Sequence, residues 1–482
     1  MLKNDYDCRM VGERPLRTQS VPSSGRCHFS GGRNDMCGAQ AHHDSWRENY
    51  KKKLTTAEEA LQAVKSRDSI YIHAGAATPF PLIDALVASA DRLRDVNIIH
   101  ALTFGDAPYC RPEYSKSFHV NALFIGANVR DAVNEGRGDY TPVFLSDAPY
   151  LFTSRAVPID VCFVHVSPPD AHGYCSYGVS VDVTSAARKQ ARVVIAEVNK
   201  QMPRTLGRSF VHVSRLTHII ESDRPLPEHV SPAPSEVERR IGEHVASLVE
   251  DGATLQTGIG EIPDATLACL YDRKDLGVHT EMFSDGVVDL VEAGVITNDM
   301  KTVMPGKIGT CLVLGTKRLY DFVDNNPGVE FQTSDIMNNP HIIAQNYKMT
   351  SINSALQVDI TGQVSADSIG YSLYSGVGGQ VDFVRGASRS KGGKAIIALP
   401  ATAKNGTVSR IVPFLDPGGG VVTSRADVHY VVTEYGIADL FGKSVRGRAR
   451  ELINIAHPSF RGTLEKECNR IKWLQGPAVQ SA

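Results

Sequence analysis

Glu281 stands in the stretch "GVHTEMFSDG" (277–286), where a short apolar run carries one carboxylate into a Ser-Asp-Gly turn. A strand normally keeps a β-branched residue between Thr280 and Met282, so the acid is either a surface accident or a reacting group. A carboxylate is a weak nucleophile, but it attacks an activated acyl carbon when held in line with it. Gly258 lies 23 residues earlier in "GIGEIP" (258–263), a normal length for one strand–helix–strand step. Gly258 and Gly260 let the backbone turn tightly and approach a ligand, and amides of such a turn can donate to a developing oxyanion. Pro263 suits the first helical position and Asp264 the helix N-terminus. The same turn is a poor dinucleotide fingerprint, because Pro263 occupies the place of the third glycine and no acid marks the ribose position.

A second glycine cluster, "SGVGGQVDF" (375–383), implies close backbone approach to something thin. No acid occurs between Asp382 and Asp416, while Arg385, Arg389, Lys391, Lys394, Lys404 and Arg410 do, so this stretch is a candidate phosphate holder or a solvated basic face. A G-x-x-x-x-G-K-[ST] phosphate loop is absent. Glu434, in "VHYVVTEYG" (428–436), is the rival carboxylate, able to orient Glu281 or the substrate or to serve structure alone.

These groups need a scaffold. After Trp46, apolar runs of strand length ("SIYIHAG", "VNIIHALTFG", "ALFIGA", "VCFVHVS", "VVIAEVN") alternate with helical stretches, the first of them opening at "TTAEEALQAV" (55–64). That alternation predicts an α/β architecture with a largely buried parallel sheet. The Pro-rich stretch 221–240 reads as an exposed linker between domains. The second half echoes the first: "SIYIHAGAATPFPLIDAL" (69–86) matches "ATLQTGIGEIPDATLACL" (253–270), and in the continued register His100 falls beside His279 and Leu102 beside Glu281. Strand "VHTEM" then carries Glu281 at its carboxyl end, beside the Gly258–Gly260 turn, where ligand clefts of open sheets form.

The 482 residues are too many for one core, and a formal net charge of -2 gives no support to nucleic-acid binding. No apolar run is long enough to span a bilayer. Nine scattered cysteines without a C-x-x-C pair read as free thiols of a reducing compartment. Cys27, His28, Cys37, His42 and His43 match no zinc-module spacing, so no metal site is expected. Residues 1–45 are rich in Ser, Gly and Arg without periodicity, the composition of a disordered or targeting tail. A mitochondrial address is one reading of it; Asp5, Asp7 and Glu13 count against that, and the cytoplasm is the alternative.

Taken together, "GIGEIPDATL", "LGVHTEMFSDGVVDLVEAGV", "SINSALQVDITGQV", "GVGGQVDFVRGAS" and "VVTEYGIADLFGKS" resemble the acetyl-CoA hydrolase/transferase family, closest to its 4-hydroxybutyrate and acetate CoA-transferase branch, over about residues 50–465. The resemblance implies two CoA-transferase-type (NagB/RpiA-like) open-sheet α/β domains, 46–228 and 236–470, facing each other across a cleft. It puts the nucleophile on Glu281 and an amide near the reacting carbonyl on Asn338. It places CoA contacts on Gly258, Ile259, Gly260, Glu261, Ile262, Ser375, Gly378, Gly379 and Lys404. Amides near Gly260 and Gly379 would hold the oxyanions.

The implied partners are an acyl-CoA and a small carboxylate (acetate, succinate or 4-hydroxybutyrate), with CoA as substrate, no permanently bound cofactor, and a homo-oligomer as a possible assembly. Hydrolysis of acetyl-CoA by the same glutamate is the nearest variant. A non-catalytic ligand sensor is the remote alternative, since fold never fixes function; a sensor would have no need of an acid at position 281.

Overall fold

Buried β-branched runs build the first sheet. The computed structural model describes residues 46–474, so the expectations for the N-terminal tail, its Cys and His residues included, fall outside the described residues. Strands β1 (Ser69–Ile72), β2 (Val96–His100), β3 (Phe118–Ala122), β4 (Gly138–Tyr140), β5 (Val161–Val166), β6 (Val193–Asn199) and β7 (His218–Ser222) pair in the order β4-β3-β2-β1-β5-β6-β7. All these pairings are parallel. Strands β5 and β6 are buried along their whole length, as strands covered on both faces must be. Tyr71, Ile99, Cys162 and Val164 enter one apolar cluster, while Ile70, Ile72, Ile98 and Phe163 enter another. Sequence neighbours thus face opposite sides of the sheet.

The second sheet contains β8 (Thr254–Gln256), β9 (Gly277–Val278), β12 (Met349–Ser354), β13 (Lys394–Ala398), β14 (Tyr430–Thr433) and β15 (Gly436–Asp439), in the order β9-β8-β12-β13-β14-β15. It is parallel except for the β14–β15 hairpin. Helices α1 (Phe80–Ala88) and α4 (Glu261–Ala268) follow β1 and β8. The internal echo is therefore structural: β1 pairs with β2 and β8 pairs with β9, each across one helix. The two α/β halves share apolar packing, because one cluster contains Val164 and Val179 from the first and Leu255, Phe283 and Val313 from the second.

Three local expectations are corrected. The exposed linker expected over 221–240 is shortened to 223–235 and anchored: Tyr320 Oη donates to the Pro227 carbonyl at 2.6 Å, the His229 N–H to the Gly315 carbonyl at 2.9 Å, and Leu226 is buried. Helix α3 (Glu236–Leu248) follows, opened by a Ser235–Glu238 capping box. Pro263 is the third residue of α4 rather than the first, which is tolerated because first-turn N–H groups have no partner within the helix. Finally, "VHTEM" is not one strand. Strand β9 ends at Val278, and the Thr280 N–H turns to the Gly309 carbonyl at 3.0 Å. The chain then pairs again as β10 (Met282–Phe283) with β11 (Leu312–Val313). Glu281 sits at the crossing between the sheet and this small pair.

Candidate functional site

That crossing fixes the backbone of Glu281. Its carbonyl accepts from Cys311 N at 2.9 Å, Leu312 N at 3.1 Å and Thr310 Oγ1 at 3.1 Å. The side chain is half-buried, and its Oε2 accepts from Asn338 Nδ2 at 2.9 Å. Asn338 is fully buried just past the short helix Ser334–Met337, and its Oδ1 lies 3.6 Å from Cys311 Sγ, which donates to it. His279 supports this turn from below, with Nε2 at 2.9 Å from the Met337 carbonyl; burial first, then Lys301, pushes its pKa down to about 3, so it stays neutral.

Gly379 closes the other side. It precedes α5 (Gln380–Arg389), and its N–H lies against the Glu281 carboxylate, where it favours the charged form. A Cβ built there would fall 2.0 Å from Glu281 Oε2 and 2.2 Å from Asn338 Nδ2, so only a glycine leaves the three groups in place. The loop before α5 and the first turn of α5 are pinned to the first half of the chain: Leu145 N donates to the Gly378 carbonyl at 3.0 Å, and Asp382 accepts from Ser146 Oγ at 2.8 Å and Ser146 N at 3.1 Å.

Glu281 opens on a cavity of about 270 Å³, whose wall includes Leu102, Phe104, Phe124, Leu145, Ile259 and Gly378. Burial pushes the Glu281 pKa up to about 7; the Asn338 bond opposes this, the charge of Asp182 adds to it, and the Gly379 N–H opposes it again. Asp382 is also pushed up to about 7, by burial first, against its Ser146 bonds and with Glu281 adding to the rise.

The expected residues divide accordingly. Glu281, Ile259 and Gly378 line the cavity, and Asn338 and Gly379 touch the Glu281 carboxylate. Gly258 and Gly260 form the turn beside Ile259, but the groups against the Glu281 carboxylate are Asn338 and Gly379, while Gly260 caps α4. Glu261 is exposed, and Ile262 packs into an apolar cluster with Ile352 and Ile396. Ser375 Oγ donates to the Ala366 carbonyl at 3.1 Å. Lys404 sits exposed in the turn of the Thr402–Ala403 and Val408–Ser409 hairpin.

Glu434 is tied to Ala401 N at 2.8 Å and does not line the cavity. The basic stretch is not one patch: Lys394 pairs with Glu250 at 2.6 Å, Arg385 with Asp427 at 3.6 Å, and Arg410 donates to Ala355. Sequence reasoning missed Asp182, Cys311 and the Ser146–Asp382 pair. Asp182 carried the same signal as Glu281, a lone acid in the apolar run "GVSVDVTSAA" (178–187).

Among the described residues there is no group of three or more His, Cys, Asp or Glu that could hold a metal ion, and no helix is long and apolar enough to cross a membrane.

Comparison with known proteins gives these positions a context. The sequence model of the acetyl-CoA hydrolase/transferase N-terminal domain matches residues 38–228, and that of the C-terminal domain matches residues 315–468. A 4-hydroxybutyrate coenzyme A transferase of Clostridium kluyveri is 54% identical over 422 residues, covering 88% of this chain and 98% of the relative. A succinyl-CoA:acetate/propanoyl-CoA:succinate CoA transferase of Fasciola hepatica is 50% identical over 435 residues, covering 89% and 90%. The crystal structure of a 4-hydroxybutyrate CoA-transferase from Porphyromonas gingivalis superposes with a TM-score of 0.77 at 45% identity, covering 88% of this chain and 99% of that one. Relatives of matching length are named for CoA transfer and both domain models align in order, so this chain belongs to the acetyl-CoA hydrolase/transferase family and is a CoA-transferase.

Proposed function

We propose that the chain moves CoA from a short acyl-CoA, such as acetyl-CoA, to a small carboxylate through a covalent glutamyl-CoA thioester on Glu281. One observation carries this reading: a carboxylate oxygen bonded at 2.9 Å to the Asn338 amide, at the wall of an apolar cavity. A partly desolvated carboxylate with a raised pKa is more basic and more nucleophilic than one in water.

The Glu281 oxygen attacks the thioester carbonyl carbon, the C–S bond breaks, and a mixed anhydride and CoA thiolate result. The thiolate attacks the Glu281 carbonyl carbon, and the acyl group leaves as a free carboxylate. A second carboxylate then attacks the glutamyl thioester, and the released thiolate takes the new acyl group from the anhydride and regenerates Glu281. Thioester energy is conserved throughout. The Asn338 amide and Gly379 N–H are the donors for the oxyanion formed at the glutamyl carbon. The turn Gly258–Ile262, with Ser375, Gly378 and Lys404, is assigned to CoA itself. The placement of Ile259 and Gly378 on the cavity wall supports that assignment. The division into domains 46–228 and 236–470 belongs to the same reading, as does a mitochondrial destination, which the Arg and Ser content of residues 1–45 supports.

Borohydride after incubation with acetyl-CoA tests the intermediate. Peptide mapping is expected to find reduction on Glu281 alone; label on Glu434, or on no residue, rejects the assignment. The requirement for an acceptor separates transfer from hydrolysis, since transfer consumes acetyl-CoA catalytically only when a carboxylate is supplied.

A pH dependence follows. The attacking form is the ionised one and the Glu281 pKa is about 7, so kcat/KM for acyl-CoA should rise with pH through about 7 and level off above it. Asp382 titrates in the same range, so the midpoint belongs to the pair. Asn338→Ala removes a donor that favours the charged form and should move the midpoint upward. A wild-type midpoint below about pH 5, near that of an ordinary carboxylate, contradicts this.

A further inference from the structure

The cavity in front of Glu281 has a one-sided lining. Its wall is mostly apolar, and among the described residues the ionisable side chains on it are Glu281 and Asp182, both acids, with no lysine, arginine or histidine. Asp182 is buried, at 2% exposure. Its Oδ1 accepts from Val183 N, Thr184 N and Thr184 Oγ1, at the start of helix α2 (Thr184–Gln190). No donor among the described residues reaches its Oδ2. With one oxygen held by three donors, the carboxyl plane is fixed, and the other oxygen is the strong acceptor left for whatever fills the cavity beside Glu281.

Resting on the CoA-transfer reading above, we propose that Asp182 is a specificity-determining residue: it selects short, uncharged acyl chains, favours one ending in a hydroxyl, and rejects one ending in a second carboxylate. A terminal hydroxyl donates to Asp182 Oδ2, a charge-assisted bond inside an apolar wall. A plain alkyl chain packs against Leu102, Phe104, Phe124 and Leu312 but leaves that oxygen unfilled. A distal carboxylate loses its water, meets no cation and faces the Asp182 carboxylate, Glu281 being the uncharged thioester when the acceptor enters, which is a built-in repulsion against the wrong substrate.

Three acceptors separate these cases: CoA transfer from acetyl-CoA to butyrate, to 4-hydroxybutyrate and to succinate. The wild-type enzyme should favour 4-hydroxybutyrate over butyrate in kcat/KM by about tenfold, and butyrate over succinate by about 100-fold or more. In Asp182→Asn the amide oxygen must keep facing the three donors, so its NH₂ faces the cavity in place of the anion. The succinate-to-butyrate ratio should then rise about tenfold or more. The ratio is taken within one preparation, so a general loss of active enzyme does not move it, and if the variant fails to fold the wild-type order decides by itself. Succinate used as well as butyrate by the wild type, or a ratio unchanged in the variant, overturns the role of Asp182 and leaves CoA transfer standing. No transfer to any of the three acids overturns the CoA-transfer reading, and the role of Asp182 with it.

Discussion

Glu281→Gln loses CoA transfer, with kcat/KM for acetyl-CoA in the presence of an acceptor falling by about 10⁴-fold or more, while the fold persists. The amide keeps the side chain's shape and offers an oxygen to Asn338, but it provides no attacking oxygen for an anhydride and no carbon that can become a thioester by exchange. The same substitution is expected to stabilise the protein at neutral and alkaline pH. In the folded state the Glu281 pKa is raised from the usual 4.5 to about 7, so the folded protein holds this proton more tightly than the unfolded chain does. Stability from that proton is fully present below pH 4.5 and lost as pH rises through about 7. Glutamine removes the loss, so the variant's advantage grows across that window and reaches on the order of 2 kcal/mol above it. Thermal unfolding of both proteins at pH 8 and pH ~4 checks the stability side, and steady-state kinetics the chemical side. Turnover within about tenfold of wild type would remove Glu281 from the mechanism.

Gly379→Ala should cost about 10²–10³ in kcat with little change in Tm. The backbone there has φ -97, which alanine adopts freely, so no strain arises from the main chain. The conflict is with side-chain ends: the new methyl meets Glu281 Oε2 at 2.0 Å and Asn338 Nδ2 at 2.2 Å. Those ends can swing away cheaply in stability, but doing so breaks the 2.9 Å bond between them and moves the carboxylate off its line. A variant that is merely misfolded shows a large fall in Tm; one that is catalytically displaced does not. Activity within about threefold of wild type would show that the contact between Gly379 and Glu281 has no bearing on turnover.

The sequence made Glu281 visible for a local reason: an acid in an apolar run has no structural excuse, and its neighbours are enough to raise the question. The strand alternation was equally legible, because strands buried on both faces leave unbroken runs such as "VCFVHV". Asn338 was reachable only through family resemblance, since "MNNPH" by itself is an ordinary helix-end sequence. What escaped depended on partners far away in the chain. The acids that neutralise Lys394 and Arg385, Glu250 and Asp427, lie outside the basic stretch that suggested a phosphate patch. Ser146 and Asp382 are 236 positions apart, and no local pattern joins them. The break of "VHTEM" at Val278 depends on a carbonyl at Gly309, again beyond any window over the strand itself.

The cavity draws Leu102, Phe104, Phe124, Leu145 and Asp182 from one half of the chain, and Glu281, Met282 and Gly378 from the other. Under the proposed roles, most of the wall that meets the acyl group lies on a different segment from Glu281, Leu312 being an exception, so the repertoire of acids can diverge among homologues while Glu281 stays untouched. The shared apolar cluster limits that freedom, because a chimera that exchanges one half must also match the side chains that interlock across the seam.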